Sequence, residues 1–186
     1  MTKQERINDF WRFCTLPMHP ENFADKLDKL GFFTAPASTK YHGAYEGGLY
    51  DHSAAVTKRL NELTKNNNLK WQRRESPFII GMFHDLCKCD QYTYVPNEYV
   101  GYPGHYEYNT NTTLKGHGSK SIILLSQFIT LTEEEILCIR FHMGAYGNEQ
   151  EQKDEWAGFD KAIRKTNGLC LWVHQADQLA SKIDDV

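Results

Sequence analysis

Apolar residues recur every three or four positions along most of this chain, which is the spacing of a helix with one buried face. From about residue 49 to 65, Leu49, Val56, Leu60 and Leu63 keep this spacing, and most of the residues between them are polar. The pattern therefore predicts an all-α protein built from amphipathic helices. Further helices are predicted over about 5–14, 21–30, 71–88, 117–129, 154–165 and 169–183, with one more that begins after Thr132 and ends before Gly144.

The segment 71–88 differs from the others because it is apolar on nearly every side from Phe78 onward. A helix of that kind is expected at the centre of a fold. The adjacent His84 and Asp85 lie within this apolar run, where two titratable side chains are costly to bury unless something satisfies them. A divalent metal ion would do so.

Turn-forming residues separate the predicted helices. Gly31 is expected to cap the second helix at its C-terminal end, and Thr132 opens a later helix with a capping box. Residues 36–47 are predicted to form a loop. Between 91 and 110 the tyrosines alternate with other residues as in strands, which predicts a small β-hairpin. Residues 144–153 are polar and contain glycine, so we expect a loop that could act as a lid.

Composition narrows the class of protein. The chain has 186 residues, of which 40% are hydrophobic and 24% charged, as expected of a single soluble globular domain over 1–186. No apolar stretch approaches the ~20 residues that span a bilayer, so no membrane association is expected. The formal net charge of −3 argues against a long nucleic acid as a partner and says little about a nucleotide. Five cysteines without a disulfide spacing favour a reduced, cytoplasmic protein.

Six side chains lie in positions that a metal site would explain. His52 shares the apolar face of its predicted helix, and Asp177 lies on an apolar stripe where an unpaired carboxylate is disfavoured. His117 is flanked by two glycines, which allow close approach of the backbone. Imidazole and carboxylate donors together suit a divalent transition metal such as Fe, Mn, Zn, Co or Ni. The candidate ligands are His52, His84, Asp85, His117, His142 and Asp177.

The order of these residues, His, His-Asp, His, His and Asp, resembles that of the HD superfamily of metal-dependent phosphohydrolases. The resemblance covers about residues 41–180, and 1–35 would be a helical extension packed on this HD domain. One departure is Cys87, which stands where the HD-x-G-K motif usually has glycine. The segments that carry the resemblance are Gly47–Ser53, His84–Lys88, Gly116–Gly118, Phe141–Gly144 and Ala176–Asp177.

The resemblance implies an HD-domain helical bundle that holds one or two metal ions, with the small β-hairpin as an insertion. In members with both middle histidines, two metals share the aspartate of the HD pair, so Asp85 would be the bridge here. His117 and His142 would bind the second metal. The ligands of the first metal would be His52, His84, Asp85 and Asp177.

The activity implied is hydrolysis of a phosphoester or phosphodiester bond by a metal-activated water. The expected partner is a small phosphorylated molecule, a nucleotide or dinucleotide; a 3′-5′ exoribonuclease is a further possibility, and the oligomeric state is open. Asp85 and Lys88 are the predicted catalytic residues, although Lys88 could equally be a solvated lysine at a helix end. Two other readings are a di-iron oxygenase of the same fold and a metal-bound, non-catalytic sensor or binding module.

Several secondary predictions concern the surroundings of the site. The alternating tyrosines could stack a nucleobase or simply pack across the strands. Cys87 and Cys89 are more typical of helix-end cysteines than of metal ligands. His174 could support Asp177, although an ordinary core or surface histidine is the more common case. The residues that could line the cleft, each weighed against an ordinary surface role, are His42, His105, Lys115 and Arg140.

Overall fold

The computed structural model describes residues 1–17, 19–145 and 149–184, the last of these from 149 to 152 by backbone alone. Within these ranges the chain is mostly helical and has one two-stranded antiparallel sheet, as the periodicity predicts. The helices are α1 (Lys3–Phe13), α2 (Phe23–Leu30), α3 (Gly48–Asn66), α4 (Ser76–Phe83), α5 (His117–Leu125), α6 (Glu133–Arg140), α7 (Glu149–Lys165) and α8 (Leu169–Lys182), and the strands are β1 (Tyr92–Val95) and β2 (His105–Tyr108).

Two helix ends follow the turn chemistry of the sequence. Gly31 caps α2 in the left-handed conformation, with φ of 93°, and its amide donates to the carbonyl oxygens of Leu27 and Asp28. Thr132 and Glu135 form both hydrogen bonds of the capping box that opens α6. These two predictions are confirmed because a local interaction decides each of them.

The predicted helix over 71–88 is wrong at both ends. α4 begins only at Ser76, with Pro77 in its first turn, where a missing amide hydrogen does no harm. It ends at Phe83, and a 3₁₀ helix over Leu86–Asp90 follows. His84 and Asp85 therefore lie at the junction between two helices, and Asp85, with φ of −104° and ψ of 18°, has left the α-helical conformation.

Two other boundaries also differ from the sequence pattern. α5 ends at Leu125, four residues before the predicted end, because the apolar Phe128 and Ile129 pack against the core from a turn and not from a helix. α7 begins at Glu149, so the predicted loop over 144–153 is wrong for its last five residues. Residues 146–148, the middle of the proposed lid, lie outside the described part of the chain.

α3 is the central element of the core. It packs against α4 and α8, and the contact with α4 is close because Gly81 has no side chain; a Cβ there would lie 2.6 Å from the Cα of Thr57. The N-terminal helices join the same core through Phe10 and Phe23, whose rings contact that of Phe83. None of the described helices combines the length and apolar character that a membrane crossing requires.

Candidate metal centre

All six predicted ligands converge on one buried point, although they come from five separate parts of the chain. α3, the turn after α4, the start of α5, the turn after α6 and α8 each contribute at least one side chain. Neighbouring members of the cluster approach within hydrogen-bonding or ion-pairing distance. The cluster consists of His52, His84, Asp85, His117, His142 and Asp177.

Asp85 lies in the middle and turns its two carboxylate oxygens toward different histidines. Its Oδ2 lies 3.4 Å from Nε2 of His84 and 3.7 Å from Nε2 of His52. Its Oδ1 lies 2.6 Å from Nε2 of His117 and 3.3 Å from Nε2 of His142. Two groups of potential ligand atoms, each compact enough to surround one ion, therefore share this one carboxylate.

Asp177 extends the first of these groups. Its Oδ1 lies 3.1 Å from Nε2 of His52 and 3.9 Å from Nε2 of His84. We call His52, His84, Asp85 and Asp177 the inner group, and Asp85, His117 and His142 the outer group. The inner group is almost completely buried, whereas 28% of the His117 side chain is exposed to solvent.

The backbone fixes which nitrogen faces the centre in two of the histidines. Nδ1 of His84 lies 2.9 Å from the carbonyl oxygen of Gly81, and Nδ1 of His142 lies 2.8 Å from that of Ile139. A carbonyl oxygen can only accept, so each Nδ1 carries the proton and donates it. In the neutral ring, Nε2 is then the nitrogen that presents a lone pair to the centre. Histidines that bind metals are typically oriented in this way.

Four atoms at the centre fit a metal ion better than they fit the protein around them. Nε2 of His84 and of His142 are buried and have no hydrogen bond within the described residues. Nε2 of His117 and Oδ1 of Asp85 are also buried and lie 2.6 Å apart, but their contact lacks the geometry of a hydrogen bond. Buried polar atoms are almost always satisfied, so such a concentration in one place needs an explanation. A nitrogen and oxygen donor set directed at one point is what a divalent transition metal requires. Buried histidine and aspartate groups here could therefore hold a metal ion.

The charges around the centre keep both carboxylates ionised. Burial alone would raise the pKa of Asp85, but Lys88, His84 and His117 lower it well below its usual range. Burial would raise the pKa of Asp177 as well, but the contact with His52 and the nearby His84 and His142 together hold it below its ordinary range. Burial favours the neutral form of His117, yet the adjacent Asp85 raises the pKa of His117 to about 9.

Lys88 is not a solvated helix-end lysine, so that interpretation is wrong. Only 8% of the residue is exposed, and its Nζ lies 2.7 Å from Oδ2 of Asp85. Burying an ammonium group is costly unless a partner compensates for it, and Asp85 is that partner. Lys88 also lines the cavity next to the outer group. Its predicted catalytic role stays a prediction.

The cavity beside the outer group has a volume of about 560 Å³. His117, His42 and Arg140 all contribute to its wall. His42 is half-buried and its ring centroid lies 5.2 Å from that of His52, so its interpretation as an ordinary surface residue is wrong. Burial and the neighbouring His52 lower the pKa of His42 to about 4. The guanidinium of Arg140 is held in place by the carboxylate of Glu155.

The other two cleft candidates lie elsewhere. Lys115 borders a smaller pocket that also includes His117, and His105 borders a separate cavity of about 730 Å³ beside the outer part of the hairpin. Support of Asp177 by a ring nitrogen of His174, the less common of the two predicted roles, is not what the structure shows. Instead, Nδ1 of His174 donates to the carbonyl oxygen of His142, 2.7 Å away, so it supports the turn that carries an outer ligand.

Cys87 and Ser121 are contacts of the site that the residue pattern does not assign. Sγ of Cys87 lies 3.5 Å from Nδ1 of His117, the nitrogen that faces away from the centre. The amide of Cys87 donates to the hydroxyl of Ser121, 3.0 Å away. A sequence signal exists for both: Cys87 replaces a motif glycine, and Ser121 lies one helical turn after His117. Neither group of potential ligands found among the described residues includes a cysteine.

Comparisons with family models, with curated proteins and with solved structures find no match to this chain.

Proposed function

We propose that this chain is an HD-type metal-dependent phosphohydrolase that cleaves a phosphoester or phosphodiester bond in a nucleotide or dinucleotide. One observation carries the proposal. Two groups of potential metal ligands share a single buried carboxylate, that of Asp85, beside a cavity whose wall includes Lys88 and Arg140. A shared carboxylate between two nitrogen-rich groups is the arrangement expected of a dinuclear hydrolytic centre.

The inner and outer groups would each hold one divalent ion. Bound ions would acidify a water molecule to a nucleophile near neutral pH and neutralise charge on the phosphoryl group. The histidine and carboxylate donors are compatible with Fe, Mn, Zn, Co or Ni, and their geometry alone does not select among these metals. An HD-type helical bundle accounts for the way five parts of the chain deliver these donors to one point.

The protein itself would supply the contacts that orient the substrate. Lys88 has its ammonium group at the boundary between Asp85 and the cavity, where it can act as a point charge toward a phosphate oxygen. Arg140 lies on the same wall, and Glu155 fixes the plane of its guanidinium group. Tyr92 and Gln91 form part of the wall on the hairpin side and would contact the rest of the substrate.

The test measures metal content and hydrolysis on the same preparation. We expect close to two transition metals per chain by elemental analysis, and release of p-nitrophenol from bis(p-nitrophenyl) phosphate with Mn²⁺ or Fe²⁺. A nucleotide panel then identifies the natural bond. One metal or none per chain contradicts the dinuclear site. Oxygen consumption without phosphate chemistry points to an oxygenase, and two metals with no turnover of any substrate point to a sensor or binding module.

A further inference from the structure

The hairpin presents four tyrosines on one face. Tyr92 pairs with Tyr108 and Tyr94 pairs with Tyr106 in the antiparallel register. Because side chains alternate along a strand, all four lie on the same side, with Thr93 on the opposite one. The ring centroids lie 5.3 Å apart in the first pair and 5.4 Å apart in the second, so cross-strand packing is confirmed. We call the Tyr92–Tyr108 pair the inner rung and the Tyr94–Tyr106 pair the outer rung.

Each rung borders a different cavity. The inner rung lines the cavity of about 560 Å³ that also contains His117 and Lys88. The outer rung lines a neighbouring cavity of about 730 Å³ together with Lys40. Residues 37–46 supply the opposite wall of both cavities, so the two lie side by side between the same loop and the same hairpin face. The tyrosine face therefore extends outward from the candidate metal centre.

Packing within the hairpin leaves much of the aromatic surface uncovered. Tyr108 is 67% exposed and Tyr94 is 54% exposed. Successive rungs are two residues apart along each strand, a distance of about 6.6 Å. Stacked bases in one strand are ~3.4 Å apart, which is about half of this distance. Two consecutive bases that lie one rung apart therefore leave room for one aromatic ring between them. The spacing suits one base for each rung.

We propose that this face binds two consecutive bases of the substrate, the inner rung stacking the base nearest the cleaved phosphodiester and the outer rung stacking the next. The inference rests on the proposed function and makes it more specific, because it selects a dinucleotide or a short single strand over a mononucleotide.

The charges near the two rungs agree with such a substrate. Lys88 and Arg140 border the inner cavity, where they pair with Asp85 and Glu155, and Lys40 borders the outer cavity together with Glu46. Each cavity therefore offers a cation to a phosphate, with a carboxylate close to it. The chain as a whole carries a formal net charge of −3. Affinity for long nucleic acids comes mainly from neutralised phosphates, and this balance disfavours them. A short ligand held by stacking is consistent with both facts.

The test compares adenylyl-(3′→5′)-adenosine with an analogue that keeps the phosphodiester but lacks the base on the nucleoside farther from the metals. The direction of binding is open, so two analogues are used, each of which lacks one of the two bases. We expect the kcat/KM of the two-base compound to exceed that of one of these analogues by about tenfold, the usual size of one stacking contact. Tyr94→Ala should remove this advantage, so that the variant cleaves the two-base compound and that analogue with similar kcat/KM. Tyr94→Phe should retain the advantage, as should Thr93→Ala on the opposite face.

Equal kcat/KM for the two-base compound and both analogues would overturn the proposal, and so would a Tyr94→Ala variant that slows all of these substrates alike. Hydrolysis of bis(p-nitrophenyl) phosphate distinguishes failure of the stacking proposal from failure of the proposed function. This compound has no base, so its hydrolysis reports the metal chemistry alone. If no substrate is cleaved, the proposed function fails, and the intact dinucleotide can be titrated calorimetrically into the purified protein. About tenfold tighter binding of two bases, lost in Tyr94→Ala, would then support the stacking site, and equal binding or none would refute it.

Discussion

The inner and outer groups share one carboxylate but lie in different environments. His84 is completely buried at the end of α4, and Asp177 is nearly so on α8. His117 begins α5, keeps more than a quarter of its side chain exposed and opens onto the cavity. The difference in burial suggests that the two ions of the proposed dinuclear site have different roles. An ion in the inner group would hold core helices together, and one in the outer group would meet the substrate.

The difference in burial also implies that loss of a metal ion affects the stability of the fold differently in the two groups. Charged and polar donors enclosed in the core carry a desolvation cost that only a bound ion or an ion pair can offset. Metal binding to such a group is therefore coupled to folding. The outer group reaches solvent through His117, while His142 and Asp85 are as buried as the inner ligands. A change at His117 should therefore release the outer ion with less effect on the core. Variants of the two groups should separate these roles.

The largest effect is expected from Asp85→Asn, because this change weakens both groups at once. Metal content should fall from about two per chain to less than one. Loss of a hydrogen-bond partner of a metal ligand typically lowers activity by about 10- to 100-fold. Loss of the shared ligand itself should lower the hydrolysis of bis(p-nitrophenyl) phosphate by more than that. Elemental analysis and initial rates provide the measurements. Asp90→Asn is the control from the same 3₁₀ helix, since Asp90 is exposed, pairs with Lys120 and belongs to neither ligand group.

A fully active Asp85→Asn variant with two metals would show that the shared carboxylate is not a bridge. Loss of activity in the Asp90→Asn control as well would instead indicate that the 3₁₀ helix is sensitive to any change of charge.

A pair of variants, His84→Ala and His117→Ala, tests the comparison itself. Each should lose about one metal per chain. His84→Ala should also lower the free energy of unfolding by about 2–5 kcal/mol, because it leaves a cavity in the core. His117→Ala should cost about 1 kcal/mol or less, as expected of a partly exposed position. Urea denaturation followed by circular dichroism measures both, with the exposed His105→Ala as control.

Equal destabilisation by the two histidine variants would remove the distinction between a core-stabilising and a substrate-facing group. Retention of both metals in either variant would exclude that histidine as a ligand.

The smallest effect is expected from Lys88→Met, which removes the charge and keeps a similar length of side chain. We expect kcat/KM to fall by about 100-fold, the usual cost of losing one group that stabilises transition-state charge. Metal content should stay near two per chain, and Lys88→Arg should recover part of the activity. A parallel loss of metal would show that Lys88 acts by holding Asp85 in place rather than by contacting the phosphate.

The sequence predicts the helical class and the caps well, because helical periodicity and capping are local properties. The boundaries that it misses are set by tertiary contacts. The apolar run through Phe83 reads as one long helix, yet the chain turns at His84 and Asp85 and directs both side chains toward the candidate metal centre. Periodicity cannot show this, since an apolar turn and an apolar helix have the same composition.

The candidate ligands could be chosen from the sequence, but the partition of Asp85 between two groups could not. It depends on which oxygen faces which histidine, a distance of a few ångströms that no residue pattern encodes. The same applies to His174, whose spacing of three residues suggested Asp177 while its ring reaches the backbone of His142. The tyrosine pattern left packing and stacking open, and only the placement of the hairpin beside the cavity made stacking worth proposing.

Gly118 lies directly after His117, and its Cα approaches the backbone of α6 so closely that a Cβ would lie 2.6 Å from the carbonyl oxygens of Ile139 and Arg140. α5 and α6 thus meet main chain to main chain. The separation between His117 and His142 is consequently set by a contact that has no rotamers through which to relax. If the two histidines bind one ion, this contact sets the distance between the positions from which they bind it. The outer group is then preorganised by the backbone and not by the packing of its side chains.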